Sequence, residues 1–367
     1  MSRKVLYCGL DVDDQSFHAY LISPCGEFFS FKCSPTFKHL SEKLQKFSSD
    51  WELKVCYEAG YFGFSLCRSL RAANFNCVVI SPAHIPQIVG DRVKTDKKDA
   101  QNLAVFLMQG LLKVVNVPDE EDESVRNLLR SRANAVKQLA SLKNYIQASC
   151  RQNNLDYRKE TGKSHYWTQI YRQWLDSKIV NLKNSIVQFD LKNQLSLLHS
   201  MESAIERYDD EIDKISDLDK YKSKVKSLRC LKGINTISAM TIVAEIGDVK
   251  RFSHPKKLVS YCGLDIAEYS SGGKEKKLGI TRTGSRFLRT TLIEANQSNK
   301  NATYIGKELA KRRLEASTES IQIADKCMSR INKKRYDLLN RNKHPNKVKV
   351  ACAREMVGFV WELLNKN

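Results

Sequence analysis

No stretch of this 367-residue chain approaches the ~20 consecutive apolar residues of a membrane-spanning helix. The opening segment, MSRKVLYCGLDVDD, has no apolar run of signal-peptide length. A membrane or secreted role is therefore not expected. The chain also lacks a Cys-x-x-Cys pair, although it has 11 cysteines, so a structural zinc site is not expected either. Several cysteines sit in apolar runs, such as Cys56 in KVCYEA and Cys77 in NCVVIS. They read as reduced core thiols of a cytosolic protein.

Acid is scarce in one place only. Residues 250–367 carry 26 basic and 11 acidic side chains, a net +15 within a chain whose formal charge is +20. The two preceding segments, 1–113 and 114–249, carry +3 and +2. A surface charged merely for solubility would not be so uneven. The imbalance points to a polyanionic partner, nucleic acid, bound mainly by the C-terminal third.

What is present begins with strands. KVLYCGLDV reads as a buried strand, followed across short turns by SFHAYLIS and EFFSFKCS, an antiparallel meander. FKHLSEKLQKF has helical spacing, KVCYEA is a fourth strand, FGFSLCRSLRAAN a helix, and FNCVVIS a fifth strand. DKKDAQNLAVFLMQGLL is a third helix, entered from GDRVKT. Early hairpins followed by βα units predict a mixed α/β sheet with helices on its faces, in the order of a ribonuclease H-like fold. From residue 123 to 228 no strand is expected. ESVRNLLRSRANAVKQLASLKNYIQASC and LLHSMESAIERYDDEIDKISDL read as long amphipathic helices, a coiled-coil-like hairpin. Between them lies YRKETGKSHYWTQIYRQWL, a spacer or dimer contact on the plain reading and a nucleic-acid contact on the sharper one. LRCLKGINTISAMTIVAEIG then gives a helix, a Gly turn and a helix, resembling a helix-hairpin-helix that can offer backbone N–H groups to phosphate. The rest is mainly helical. The expected domains are 1–115, 116–228 and 229–367.

Four carboxylates stand out. Asp11 ends the first strand and Glu58 the fourth, which are sheet neighbours in this order. Asp96 and Asp99, three residues apart, share one face of a helix start. Each has a plain reading: Asp11 in a turn, with Asp13 or Asp14 as the functional acid instead; Glu58 closing a loop; Asp96 capping its helix. Together they form a candidate site for Mg2+ or Mn2+, because converging carboxylates raise one another's pKa until a cation relieves them. Two such ions about 4 Å apart suit phosphoryl transfer. In EYSSGGKEKKLGITRTGSR, residues 268–286, two serines meet two glycines and a run of basic residues. The plain reading is a phosphate-binding loop; the sharper one is a nucleophile presented to a phosphodiester.

The blocks GLDV, YEAG, DRVKTDKKDA and SSGGKEKKLGITRTGSRFLR resemble, in order and over nearly the whole chain, the "one-ten" insertion-sequence transposases. These include the "one-one-one-one" branch and are also called DEDD transposases; DNA invertases are related. One departure is acidic DVDDQ, where many relatives place a basic residue. The resemblance implies a RuvC-like domain with Asp11, Glu58, Asp96 and Asp99 as metal ligands. It implies a C-terminal transposase domain whose catalytic serine is Ser271, with Ser270 as the alternative, forming a phosphoserine bond to DNA. It further implies donor and target DNA, a structured bridge or seeker RNA as guide, a dimer or tetramer with the serine delivered in trans, and action in the bacterial cytoplasm at the nucleoid. Candidate nucleic-acid contacts are Arg92, Lys94, Lys274, Lys276, Lys277, Arg282, Arg286 and Arg289. The alternative function is a RuvC-like nuclease that resolves branched DNA with metal-activated water and no covalent step.

Overall fold

The computed structural model describes residues 4–60, 62–86, 95–271, 274–300 and 304–366; for 270, 271, 274–277 and 300 it describes the backbone alone. The chain divides into two compact units, Met1–Glu121 and Asp122–Asn367. Among the described residues no helix is long and apolar enough to cross a membrane.

The first unit is a six-stranded mixed sheet of order β3-β2-β1-β4-β5-β6. Strands β1 (Lys4–Val12), β2 (Phe17–Ile22) and β3 (Phe28–Cys33) form the expected antiparallel meander. β4 (Trp51–Glu58) and β5 (Asn76–Ile80) add in parallel beside β1, and the two-residue β6 (Val114–Val115) pairs antiparallel with β5. Strand alternation sorts the side chains. Leu6, Cys8 and Leu10 of β1, Phe17, Ala19 and Leu21 of β2, and Leu53, Val55 and Tyr57 of β4 share one core. It is covered by Leu40 and Leu44 of α1 (Phe37–Gln45) and Leu66 and Leu70 of α2 (Ser65–Ala72). The opposite face receives α3 (Asp96–Met108): Ala100 and Ala104 pack on Tyr20, and Leu103 on Cys56 and Ile80.

The closeness of α3 has a specific cause. A Cβ added to Gly9 would lie 2.2 Å from the carbonyl oxygen of Ala100 and 2.5 Å from the amide nitrogen of Ala104. Only a glycine facing two alanines lets strand and helix backbones touch here.

The second unit is largely helical. α4 (Glu120–Gln152) and α7 (Ser185–Ser216) are the two long helices expected from the sequence. Toward their far end, Ile146, Cys150, Leu191 and Leu198 form a core with Tyr157 of α5 (Tyr157–Thr161) and Tyr171, Leu175 and Ile179 of α6 (Gln169–Val180). The buried Tyr157 and Tyr171 rings are thereby committed to packing rather than to stacking on bases. At the other end, Val125, Leu129 and Ile212 join a larger core that runs to Leu364. The expected helical segment, residues 116–228, thus packs its base with the C-terminal part, while its far end holds a core of its own.

The helix-turn-helix pair is α8 (Asp219–Arg229) and α9 (Thr236–Ile246). Gly233 supplies the turn with a φ of +91°, and Asn235 caps α9 by accepting from the Ser238 N–H. Every residue of α9 from Ala239 to Ile246 is buried, so it is the central helix of its unit. α8 and α11 (Arg286–Gln297) pack on it; α10 (Pro255–Tyr261), α12 (Lys307–Arg313), α13 (Thr318–Asn340) and α14 (Pro345–Asn365) complete the unit, with α10, α11 and α13 against α14 and α12 against α8.

Candidate active site

Asp11 lies on the α3 side of the sheet by strand alternation, two residues beyond Gly9. Glu58 follows Cys56 by two residues, so the same alternation gives it that face. Asp96 and Asp99 occupy the first turn of α3, whose N-cap Thr95 accepts from the Lys98 N–H. Acids are favoured there by the helix dipole. The Gly9–Ala100 contact lies one turn further along the helix, and so holds this acidic end against the end of β1.

Ligand atoms of Asp11, His18 and Asp96 all lie within 4.8 Å of one another. Glu58 and Asp99 stand outside that group. Asp99 nonetheless acts on it by charge: burial first, then Asp96 and Asp99, push the Asp11 carboxyl above its ordinary range, with His18 opposing. Asp13 is a turn residue. Its carboxylate accepts from the Gln15 N–H at 2.9 Å. It therefore serves the β1–β2 connection, and Asp11 holds the face.

His18 was not singled out in the sequence. It pairs directly with Asp11 across the β1–β2 ladder. Its Nδ1 is 3.5 Å from Asp96 Oδ2 and has no hydrogen-bond partner among the described residues. The signal that finds it is the hairpin itself. A connection of four residues, 13–16, sets Val12 opposite Phe17 and therefore Asp11 opposite His18.

The donor set suits a divalent cation. Hard carboxylate oxygens crowd together at the cost of a raised Asp11 pKa, and a buried imidazole nitrogen faces them without a hydrogen bond.

In the second unit, the segment expected as a loop is a β-hairpin. β7 (Ile266–Ser271) pairs antiparallel with β8 (Lys274–Ile280), with Ser270 opposite Glu275 and Ser271 opposite Lys274. The charge of KEKK masked a strand, although the Ser-Ser-Gly-Gly that precedes it in the sequence is a hairpin signal. The Thr281 N–H donates to the Asp265 carbonyl at 2.8 Å and the Arg282 N–H to the Gly263 carbonyl at 3.1 Å, tying down the base of the hairpin. Arg282 and Arg286 are exposed. Arg289 is not a free surface cation: it donates to the Cys262 carbonyl at 3.1 Å. Its pKa is held down by burial and by its neighbours Arg282 and Arg286, which marks a local cluster of positive charge. Lys274, Lys276 and Lys277 lie on β8 by backbone; Arg92 and Lys94 fall outside the described residues.

Residues 8–152 match the family model of DEDD transposases of IS110 type, and residues 225–311 match the Transposase IS116/IS110/IS902 family. The inferred transposase y4qE of Sinorhizobium fredii is 34% identical over 309 residues, covering 84% of this chain and 74% of that protein. The chain belongs to the IS110 transposase family. The transposase for insertion sequence element IS1533 of Leptospira borgpetersenii is 28% identical over 353 residues, 94% of this chain and 99% of that one. The transposase for IS1111A of Coxiella burnetii is 27% identical over 219 residues, 59% of this chain and 57% of that one. This IS110-family transposase is thus an enzyme that cuts and joins DNA. Its first family match contains the whole carboxylate face, and its second contains the hairpin and the arginine cluster.

Proposed function

We propose that the first unit of this transposase is a RuvC-like catalytic domain in which Asp11, Glu58, Asp96 and Asp99 hold Mg2+ or Mn2+. The observation that carries the reading is the approach of the Asp11 and Asp96 ligand atoms, with that of His18, to within 4.8 Å of one another; burial first, and then Asp96 and Asp99, push the Asp11 carboxyl up. Carboxylates so placed are stabilised together by a cation. The sheet order supports a ribonuclease H-like domain: an antiparallel meander continued by two parallel strands. The proposed division is residues 1–115 for metal chemistry, 116–228 for helical spacing, and 229–367 for the serine and the DNA contacts. A bound divalent ion would neutralise phosphate charge and activate an attacking oxygen.

Ser271 is the proposed nucleophile, with Ser270 as the alternative. Its Oγ bonds to phosphorus while the phosphorus–oxygen bond to one deoxyribose breaks. The serine gives up its hydroxyl proton and the departing sugar oxygen takes one up. A hydroxyl of a second strand then reverses the exchange, freeing the serine and remaking a phosphodiester, with no water consumed. Arg282 and Arg286, with Lys274, Lys276 and Lys277, are the proposed phosphate contacts. The net +20 charge also suits a structured bridge or seeker RNA, in which base pairing would select the DNA while the protein holds backbones. Assembly as a dimer or tetramer, with the serine delivered in trans, would make cutting conditional on assembly.

The test is a DNA adduct that survives denaturation. Full-length protein incubated with element-end DNA, co-purified RNA and Mg2+ is expected to form one. Ser271→Ala and Asp11→Asn should each abolish it, and mixing the two variants should restore part of it. An adduct made by Ser271→Ala alone transfers the role to Ser270. Cutting without any adduct overturns the covalent mechanism in favour of metal-activated water.

A further inference from the structure

The imidazole on the carboxylate face is unusual in chemistry as well as position. Mg2+ takes oxygen ligands almost exclusively and keeps much of its water, whereas imidazole favours transition metals. His18 faces this site through Nδ1. That atom is buried, has no hydrogen-bond partner among the described residues, and lies 3.5 Å from Asp96 Oδ2. A hydrogen bond between the two would be shorter, about 2.7–3.2 Å. Two ligands each about 2.1 Å from one ion, and about 90–110° apart around it, are separated by about 3.0–3.4 Å. The observed distance is longer than a hydrogen bond and close to the spacing of two ligands on one ion.

The backbone fixes this placement. Asp11 and His18 are directly opposed across an antiparallel ladder, where opposed Cβ atoms lie about 4.5–5.5 Å apart. Neighbouring Phe17 and Ala19 are locked into the opposite core, so β2 cannot slip by one residue without exposing them. His18 is thus held on the metal face by the hairpin register, whatever its side chain binds.

We infer that His18 is a nitrogen ligand of the divalent ion held by Asp11 and Asp96, giving a mixed nitrogen–oxygen site that takes Mn2+ in preference to Mg2+. The inference rests on the metal-site reading above and adds the donor and the selectivity. For this role the neutral ring carries its proton on Nε2 and offers Nδ1 to the ion.

The experiment uses the full-length protein loaded with Mn2+ alone or with Mg2+ alone, without DNA. Pulsed electron paramagnetic resonance of the Mn2+ form should show a directly bound nitrogen, and labelling with [15N]histidine should change that coupling. His18→Gln should remove it and weaken Mn2+ binding about tenfold or more, while Mg2+ binding changes less than about threefold. If Mn2+ binds, and is lost in Asp11→Asn, yet the wild type shows no histidine nitrogen, the inference falls and the carboxylate site stands. If Asp11→Asn binds Mn2+ as the wild type does, both fall. The isotope experiment needs no variant, so it decides the matter even where His18→Gln folds poorly.

Discussion

Arg130 of α4 donates two hydrogen bonds, at 2.9 and 3.1 Å, to one carboxylate oxygen of Glu245 on α9. The other oxygen accepts from Ser285 at 2.9 Å, and Ser285 also caps α11 through the Leu288 N–H. Glu245 therefore binds the long helix, the central helix and the segment that leaves the β-hairpin at a single buried carboxylate. Arg130 is half exposed and can be solvated alone, so the loss on substitution is mainly that of the Glu245 hydrogen bonds. Glu245→Ala should destabilise the protein by about 1.5–3 kcal/mol in urea denaturation. Glu245→Gln, which retains an acceptor for Ser285, should cost less. Equal costs for the two would show that the charge alone matters.

The Gly9 contact yields a sharper substitution. Gly9→Ala places a methyl group against backbone, which cannot rotate away, and should cost about 3 kcal/mol or more. The same change must lift α3 from β1, so Mn2+ and Mg2+ binding should weaken as well. Gly279→Ala on β8 is the control. A Cβ there meets nothing within 4 Å, and its effect should stay within about 0.5 kcal/mol.

The raised Asp11 pKa fixes the sign of a pH effect in metal-free protein. Below the unfolded value of about 3.9 both states are protonated and no penalty exists. As pH rises toward the raised native value, the unfolded chain releases its proton first, so stability falls; above that value the penalty is complete. Asp11→Asn should therefore melt higher than the wild type at pH 7 in chelator, with the gain vanishing below about pH 4. Divalent metal should reverse the order at pH 7, because it stabilises only the protein that binds it.

Arg286 and Arg289 should behave differently despite being three residues apart. Arg286 is exposed, so Arg286→Ala should weaken DNA binding, lower the salt dependence by about one counterion, and leave the melting temperature unchanged. Arg289 also holds the Cys262 carbonyl. Arg289→Ala should reduce both affinity and stability, the latter by about 1–2 kcal/mol. Thermal melts beside salt titrations of binding separate the two.

The sheet was legible because its strands obey a period of two against a hydrophobic core, and because Asp11 and Glu58 end central strands. Asp96 and Asp99 were legible from their spacing at a capped helix start. His18 was obscured because a lone histidine in an apolar strand carries no chemistry of its own until hairpin register gives it a partner. The serine hairpin was obscured by its charge: Lys-Glu-Lys-Lys reads as solvated chain, and only pairing with IAEYSS makes it a strand. The shared core of Val125 and Ile212 with residues as far along as Leu364 depends on contacts across more than half the chain, beyond the reach of any local pattern.

The first unit is continuous in sequence, and its last strand pairs with β5 by residue 115. Domains fold as they leave the ribosome, and translation adds about 5–20 residues per second. The hairpin that carries Ser270 and Ser271 ends at Ile280, about 165 residues later, which takes about 8–33 s at that rate. During that interval each nascent chain displays the carboxylate face of its first unit while the hairpin that carries the serines is not yet complete.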